Sequence, residues 1–171
     1  MLFRSGYALT KREAPSRYSH GECPLRSSLP AASHPSFSLQ VHTIVQYRAI
    51  DFGMEDCRLV FTLPALGMPL EDHASFSMRP QSRFDVFRLA VGRPLNTKVL
   101  SYRTKPKISE KIATLQAHLD GETEIYRFPC PRASLHVFEV ACAEGSDCFL
   151  DVWSSQNTSY GMLVFTRREE G

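Results

Sequence analysis

A chain of 171 residues, 43% hydrophobic and 22% charged, suits one domain built around a single core. Its formal charge of +2 divides unevenly: residues 1–38 carry Arg4, Lys11, Arg12, Arg17 and Arg26 against Glu13 and Glu22, so residues 39–171 sum to −1 and as a whole recruit neither nucleic acid nor anionic lipid. No stretch approaches the roughly 20 apolar residues that a membrane-spanning helix needs.

The N-terminal stretch MLFRSGYALTKREAPSRYSHGE does not read as a secretory signal, because Arg4, Lys11 and Arg12 interrupt its only apolar candidate. Pro15, Pro24, Pro30 and Pro35 then fall among many serines, with few spaced apolar side chains to bury. Ordering such a segment costs conformational entropy that no core repays, which predicts a disordered leader over 1–38 and a folded domain over 39–171.

From Val41 onward the pattern changes to period two. Val45, Tyr47 and Ala49 alternate with Gln46 and Arg48, and Cys57, Leu59, Phe61 and Leu63 alternate with Arg58 and Thr62 before Pro64 ends the run. Residues 68–81 read as a long connection. FDVFRLAVG follows as a strand, and residues 99–102 as a short one. Residues 108–119 fit two periods: Ile108, Ile112, Leu115 and Leu119 fall on one helical stripe, while Ala113, Leu115, Ala117 and Leu119 alternate. Four further strands are expected at 124–128, 134–141, 148–154 and 160–166. Seven or eight short runs, separated by turn residues about every ten positions, predict an all-β, antiparallel two-sheet β-sandwich, jelly-roll-like, rather than a βαβ fold.

In VFEVACAEGSDCFLDVW two apolar runs flank the turn formers at 143–147, where Gly145 can take a positive φ. This reads as a hairpin with Cys142 and Cys148 opposite each other at its mouth, a spacing compatible with a disulfide. Reduced thiols are the competing reading, and the one expected of an intracellular protein. Cys57 and Cys130 are a second pair that nothing in the spacing selects, and Cys23 is left over. Along 148–154, alternation turns Leu150 and Val152 to one face and Phe149, Asp151 and Trp153 to the other. Those three are the candidate ligand contact, with Trp153 as a stacking platform for a sugar ring and Asp151 as the acceptor for its hydroxyls; the competing role for Trp153 is core packing. Asn157-Thr158-Ser159 is a glycosylation sequon.

No nucleophile elbow, phosphate loop, dinucleotide fingerprint, H-E-x-x-H or C-x-x-C is present, and His20, His34, His42, His73, His118 and His136 show no metal-ligand spacing. No catalytic residue, metal site or cofactor is therefore expected. His136, beside Val137 and Phe138, reads as a hydrogen-bonded strand histidine.

Read together, CRLVFTLP, FDVFRLAVGRPLNTKVLSYRTKP, FPCP and ACAEGSDCFLDVW give the chain a resemblance, over roughly 43–166, to the C-terminal domain of the fungal ubiquitin-three-binding protein family. The middle motif also resembles disaggregatase-related jelly-roll modules of carbohydrate-active proteins. Both resemblances imply a β-sandwich, and neither implies a catalytic residue. The expected function is a non-enzymatic binding module of a surface or extracellular fungal protein, taking a glycan or a protein partner. The alternative is an intracellular interaction domain recognising a ubiquitin-like modifier, and an enzyme with a dispersed site ranks third.

Overall fold

Extended strands dominate the structure, a computed structural model describing residues 3–10, 36–38, 41–50, 55–64, 70, 75–116, 121–153 and 160–167. The strands are β1 (Phe3–Thr10), β2 (Ser36–Ser38), β3 (Val41–Arg48), β4 (Asp56–Leu63), β5 (Ser75–Met78), β6 (Arg83–Leu89), β7 (Ile108–Gln116), β8 (Gly121–Pro129), β9 (Leu135–Cys142), β10 (Phe149–Trp153) and β11 (Gly161–Arg167). They form two antiparallel sheets. The larger runs β5-β10-β2-β3-β9-β6-β7, with β1 added to β3, and the smaller runs β11-β4-β8. The all-β sandwich expected from the pattern is the observed fold.

One core joins the sheets. Cys57, Leu59, Phe61 and Leu63 of β4, Phe128 of β8 and Met162 of β11 pack against Val45, Tyr47, Phe84, Val86, Phe138, Val140, Leu150 and Val152 of the larger sheet. Across the sandwich the Tyr47 hydroxyl donates to the Met162 carbonyl at 2.8 Å, so the one polar atom of a buried ring is satisfied by the opposite sheet.

Of the two periods that residues 108–119 fit, the strand is the one observed over 108–116, as β7, because the exposed edge of β6 supplies a hydrogen-bonding partner that a helix would leave open. Other expectations need correction. Residues 99–102 are turn rather than strand: Asn96 Oδ1 accepts from Lys98 N–H at 3.1 Å and Thr104 Oγ1 donates to the Val99 carbonyl at 2.5 Å, so local side chains take the backbone groups a ladder would use. The long connection over 68–81 contains β5.

The hairpin also differs. β9 is bounded by β3 on one edge and β6 on the other, so β10 cannot pair with it and crosses instead to lie between β2 and β5. The turn at 143–147 still reverses the chain, with Gly145 at φ +72° as its sequence implied. Cys142 and Cys148 remain bridged across it, with Cα atoms 5.7 Å apart.

Within 1–38, read from composition as a disordered leader, β1 pairs with β3 over all eight residues and β2 joins β10. Strand addition at an open edge uses backbone groups, so it needs no apolar face in the added segment. Residues 11–35 lie outside the described residues.

Candidate functional site

The longest connection among the described residues is 90–107, which joins β6 to β7. Ordered loops of this length without strands of their own are uncommon and mostly functional. Gly92, Pro94 and Pro106 stop the ladder, after which Val91, Leu95 and Leu100 fold back onto Ile44, Leu89 and Val137, forming a second apolar cluster separate from the main core. Three anchors hold the loop. Leu95 N–H donates to Gln46 Oε1 at 2.7 Å, Ser101 and Thr104 exchange hydroxyl and backbone bonds, and Ala90 N–H donates to the Lys107 carbonyl at 2.9 Å.

The fourth anchor is ionic. Glu139 on β9 is only 1% exposed, yet it carries a carboxylate. His42 Nδ1 of β3 donates to its Oε1 at 2.6 Å, and the Lys105 ammonium donates to the same atom. The Tyr102 ring closes the group, edge-on to His42 at 5.5 Å and beneath the Lys105 ammonium at 4.8 Å. Burial pushes the Glu139 carboxyl up, but the hydrogen bonds and charges of His42 and Lys105 outweigh it and hold the group below the usual carboxylate range. Oε2 is buried without a hydrogen-bond partner, so the carboxylate relies entirely on the two donors meeting Oε1, the His42 ring and the Lys105 ammonium. The cluster spends its charges on fixing the loop to the sheet.

What the loop presents outward is both apolar and basic. Val99 is 62% exposed, Ile108 48% and Tyr102 38%. Arg93, Lys98, Arg103 and Lys107 are exposed, and among the described residues none has a carboxylate within ion-pair distance. A cleft of about 450 Å³ opens between Val91, Arg93, Leu95, Val99, Leu100 and Thr104.

Of the residues singled out from sequence, Phe149 and Asp151 are half-buried on β10, opposite the fully buried Leu150 and Val152. Asp151 sits in register with Ser36 and Ser77, and Phe149 is tied by its backbone to Ser82 Oγ. Trp153 is placed by its backbone beside Ser75, but its side chain lies outside the described residues, as does Asn157. Cys57 and Cys130 are bonded, with Cα atoms 5.7 Å apart.

His136 occupies the bland role expected of it. Its ring packs on Phe128 at 4.6 Å, Nε2 lies 2.8 Å from Ser134 Oγ, and Nδ1 is buried without a partner. Desolvation, with the Arg88 charge adding to it, pushes its pKa down to about 4. Between the ordinary value of 6.5 and about 4 the unfolded chain therefore holds a proton that the folded chain does not, so stability is full above 6.5 and declines as pH falls through that window. Wild-type protein is expected to lose up to about 3 kcal/mol more than His136→Gln between pH 7 and pH 4 in urea titrations. Parallel pH profiles would refute this.

Sequence reasoning missed the Glu139 cluster and the basic loop. The signals were a lone carboxylate inside Val137-Phe138-Glu139-Val140, where neighbours on both faces are apolar, and five cations without one acid over residues 90–109.

A β-sandwich with no helix among its described residues, displaying a long loop pinned by a buried ion cluster, has the organisation of a binding module. The family model of the ubiquitin 3 binding protein But2 C-terminal domain matches residues 15–157, and the chain belongs to that family. The match begins inside the segment read as a leader and ends before β11. No curated protein matches the chain.

Proposed function

We propose that this chain is a protein-binding module that works in an oxidising compartment, at the cell surface or outside the cell. The observation that carries the reading is the loop over 90–107, fixed in advance by Glu139 while Val99 and Tyr102 face outward. Preorganisation of this kind lowers the entropic cost of association. The family takes its name from a protein that binds ubiquitin 3, itself a protein. Disulfides at Cys57–Cys130 and Cys142–Cys148 favour an oxidising compartment over the intracellular site that a ubiquitin-like partner would require.

A second contact is proposed on β10 at Phe149, Asp151 and Trp153, of the aromatic-plus-carboxylate kind that a glycan uses. It is favoured by the partial exposure of the first two.

Two measurements test this. Intact mass of the protein purified from its natural host is expected to rise on reduction by two hydrogens per bridge, for two bridges; no change would return the module to a reducing compartment. On parallel glycan and protein arrays the full chain is expected to bind proteins, with binding retained in Trp153→Ala. Binding confined to glycans and abolished by that substitution would replace the protein reading with the glycan one.

A further inference from the structure

We propose that the cleft and rim of residues 90–109 form the docking surface, and that its partner is an extended protein segment with an apolar anchor side chain flanked by carboxylates. The inference rests on the protein-binding reading above and assigns it a place and a partner chemistry.

Charge carries the first part of the argument. Residues 90–109 contain Arg93, Lys98, Arg103, Lys105 and Lys107 and no acid, whereas the remainder of 39–171 sums to −6. The positive charge is thus concentrated on one loop of an otherwise acidic domain. Lys105 is neutralised by Glu139, but the other four cations stand exposed without an ion-pair partner among the described residues. Such a field attracts acidic partners and repels basic ones, which yields encounter rate and selectivity.

Shape and polarity carry the second part. The cleft is walled by Val91, Leu95, Val99 and Leu100, with Arg93, Asn96 and Thr104 as its polar members. Val99, more than half exposed, is costly to leave in water and inexpensive to cover. An apolar side chain entering beside Val99 would be desolvated, while carboxylates on either side of it would meet Arg93 and Lys98. A purely anionic polymer would leave Val99, Tyr102 and Ile108 uncovered, and a purely apolar one would bury the field of four cations uncompensated. An acidic segment with an apolar anchor satisfies both. The loop is already bonded at its base, tip and return, so docking does not have to order it.

The test uses the full oxidised chain as bait for a displayed random peptide library. Enriched peptides are expected to share an apolar residue bracketed by Asp or Glu. A synthetic copy is expected to bind with an affinity that falls with added salt, and to lose binding when its acids are replaced by Lys. Arg93→Glu combined with Lys98→Glu is expected to weaken it about tenfold or more, and Val99→Asp similarly. These side chains are exposed, so melting should be unchanged and loss of fold can be told apart. Arg127→Glu, on the smaller sheet, serves as the charge-reversal control and is expected to leave binding intact. If enriched peptides bind equally well to the loop variants, the surface assignment is overturned and the protein-binding reading survives. If no peptide is enriched and the arrays show glycans alone, both fall. Binding of heparin in place of any peptide, lost in the same variants, would assign the loop to an anionic polysaccharide and overturn the proposed partner.

Discussion

Replacing Cys57 and Cys130 together with alanine is expected to lower the unfolding free energy by about 4 kcal/mol. The bridge joins positions 73 residues apart, and closing a chain segment of that length removes more freedom from the unfolded state than any shorter crosslink would. The same reasoning gives about 2 kcal/mol for Cys142–Cys148, which spans only six residues. Burial reinforces the difference. Cys57 and Cys130 are both fully buried, at the point where Cys130 N–H also donates to the Glu55 carbonyl at 2.8 Å, whereas Cys142 is partly exposed. Mild reduction should therefore open the short bridge first. Urea unfolding of the two double-alanine variants, each compared with the oxidised wild type, checks the ranking. A larger loss from the short bridge would show that strain or residual structure, not chain freedom, governs both.

Lys105→Met is expected to cost about 3–5 kcal/mol, and more than Glu139→Gln, although both break the same ion pair. The asymmetry comes from where each survivor is left. Without Lys105, Glu139 remains a carboxylate at 1% exposure with only the His42 ring to donate to it and a bare Oε2. Without the Glu139 charge, Lys105 and His42, whose side chains are 14% and 17% exposed, can turn toward water. The double variant should recover part of the loss, since an uncharged pair tolerates burial better than a single unpaired charge. Amides over 96–104 should exchange faster in each single variant, because the loop's ionic anchor is gone. The pH dependence has a defined sign. The folded Glu139 carboxyl is held below its ordinary value of 4.5, so its stabilisation is present above that value and is lost as pH falls through the lower folded value. Equal costs for the two single variants, or unchanged exchange at 96–104, would show that the cluster does not secure the loop.

The legible part of the structure was the part written in local periodicity. Alternating residues of β3, β4 and β10 announced strands, short apolar runs announced β6, β8, β9 and β11, and buried residues such as Val45, Tyr47, Leu59, Phe61, Leu150 and Val152 lie where the alternation put them. Strands β2 and β5, three and four residues long and rich in serine, had no such signature. They exist because β10 offers edges for them to join.

The candidate site was less legible, for a related reason. Glu139, His42 and Lys105 are far apart in the chain and come from a central strand, its neighbour and a returning loop. No spacing rule links them, and only the pairing of β3 with β9 brings His42 and Glu139 to one place.

The amino-acid sequence by itself determined the all-β class, the run of short strands, the turn at Gly145 and the family resemblance. Each depends on neighbours within a few residues, where alternation and backbone preference act directly. The tertiary structure alone decided that β10 leaves β9, that Cys57 meets Cys130, that 108–116 is a strand, and that a buried carboxylate anchors a basic loop. Those outcomes depend on which edges and faces remain open once the other strands have paired, a competition between distant segments that no local pattern records.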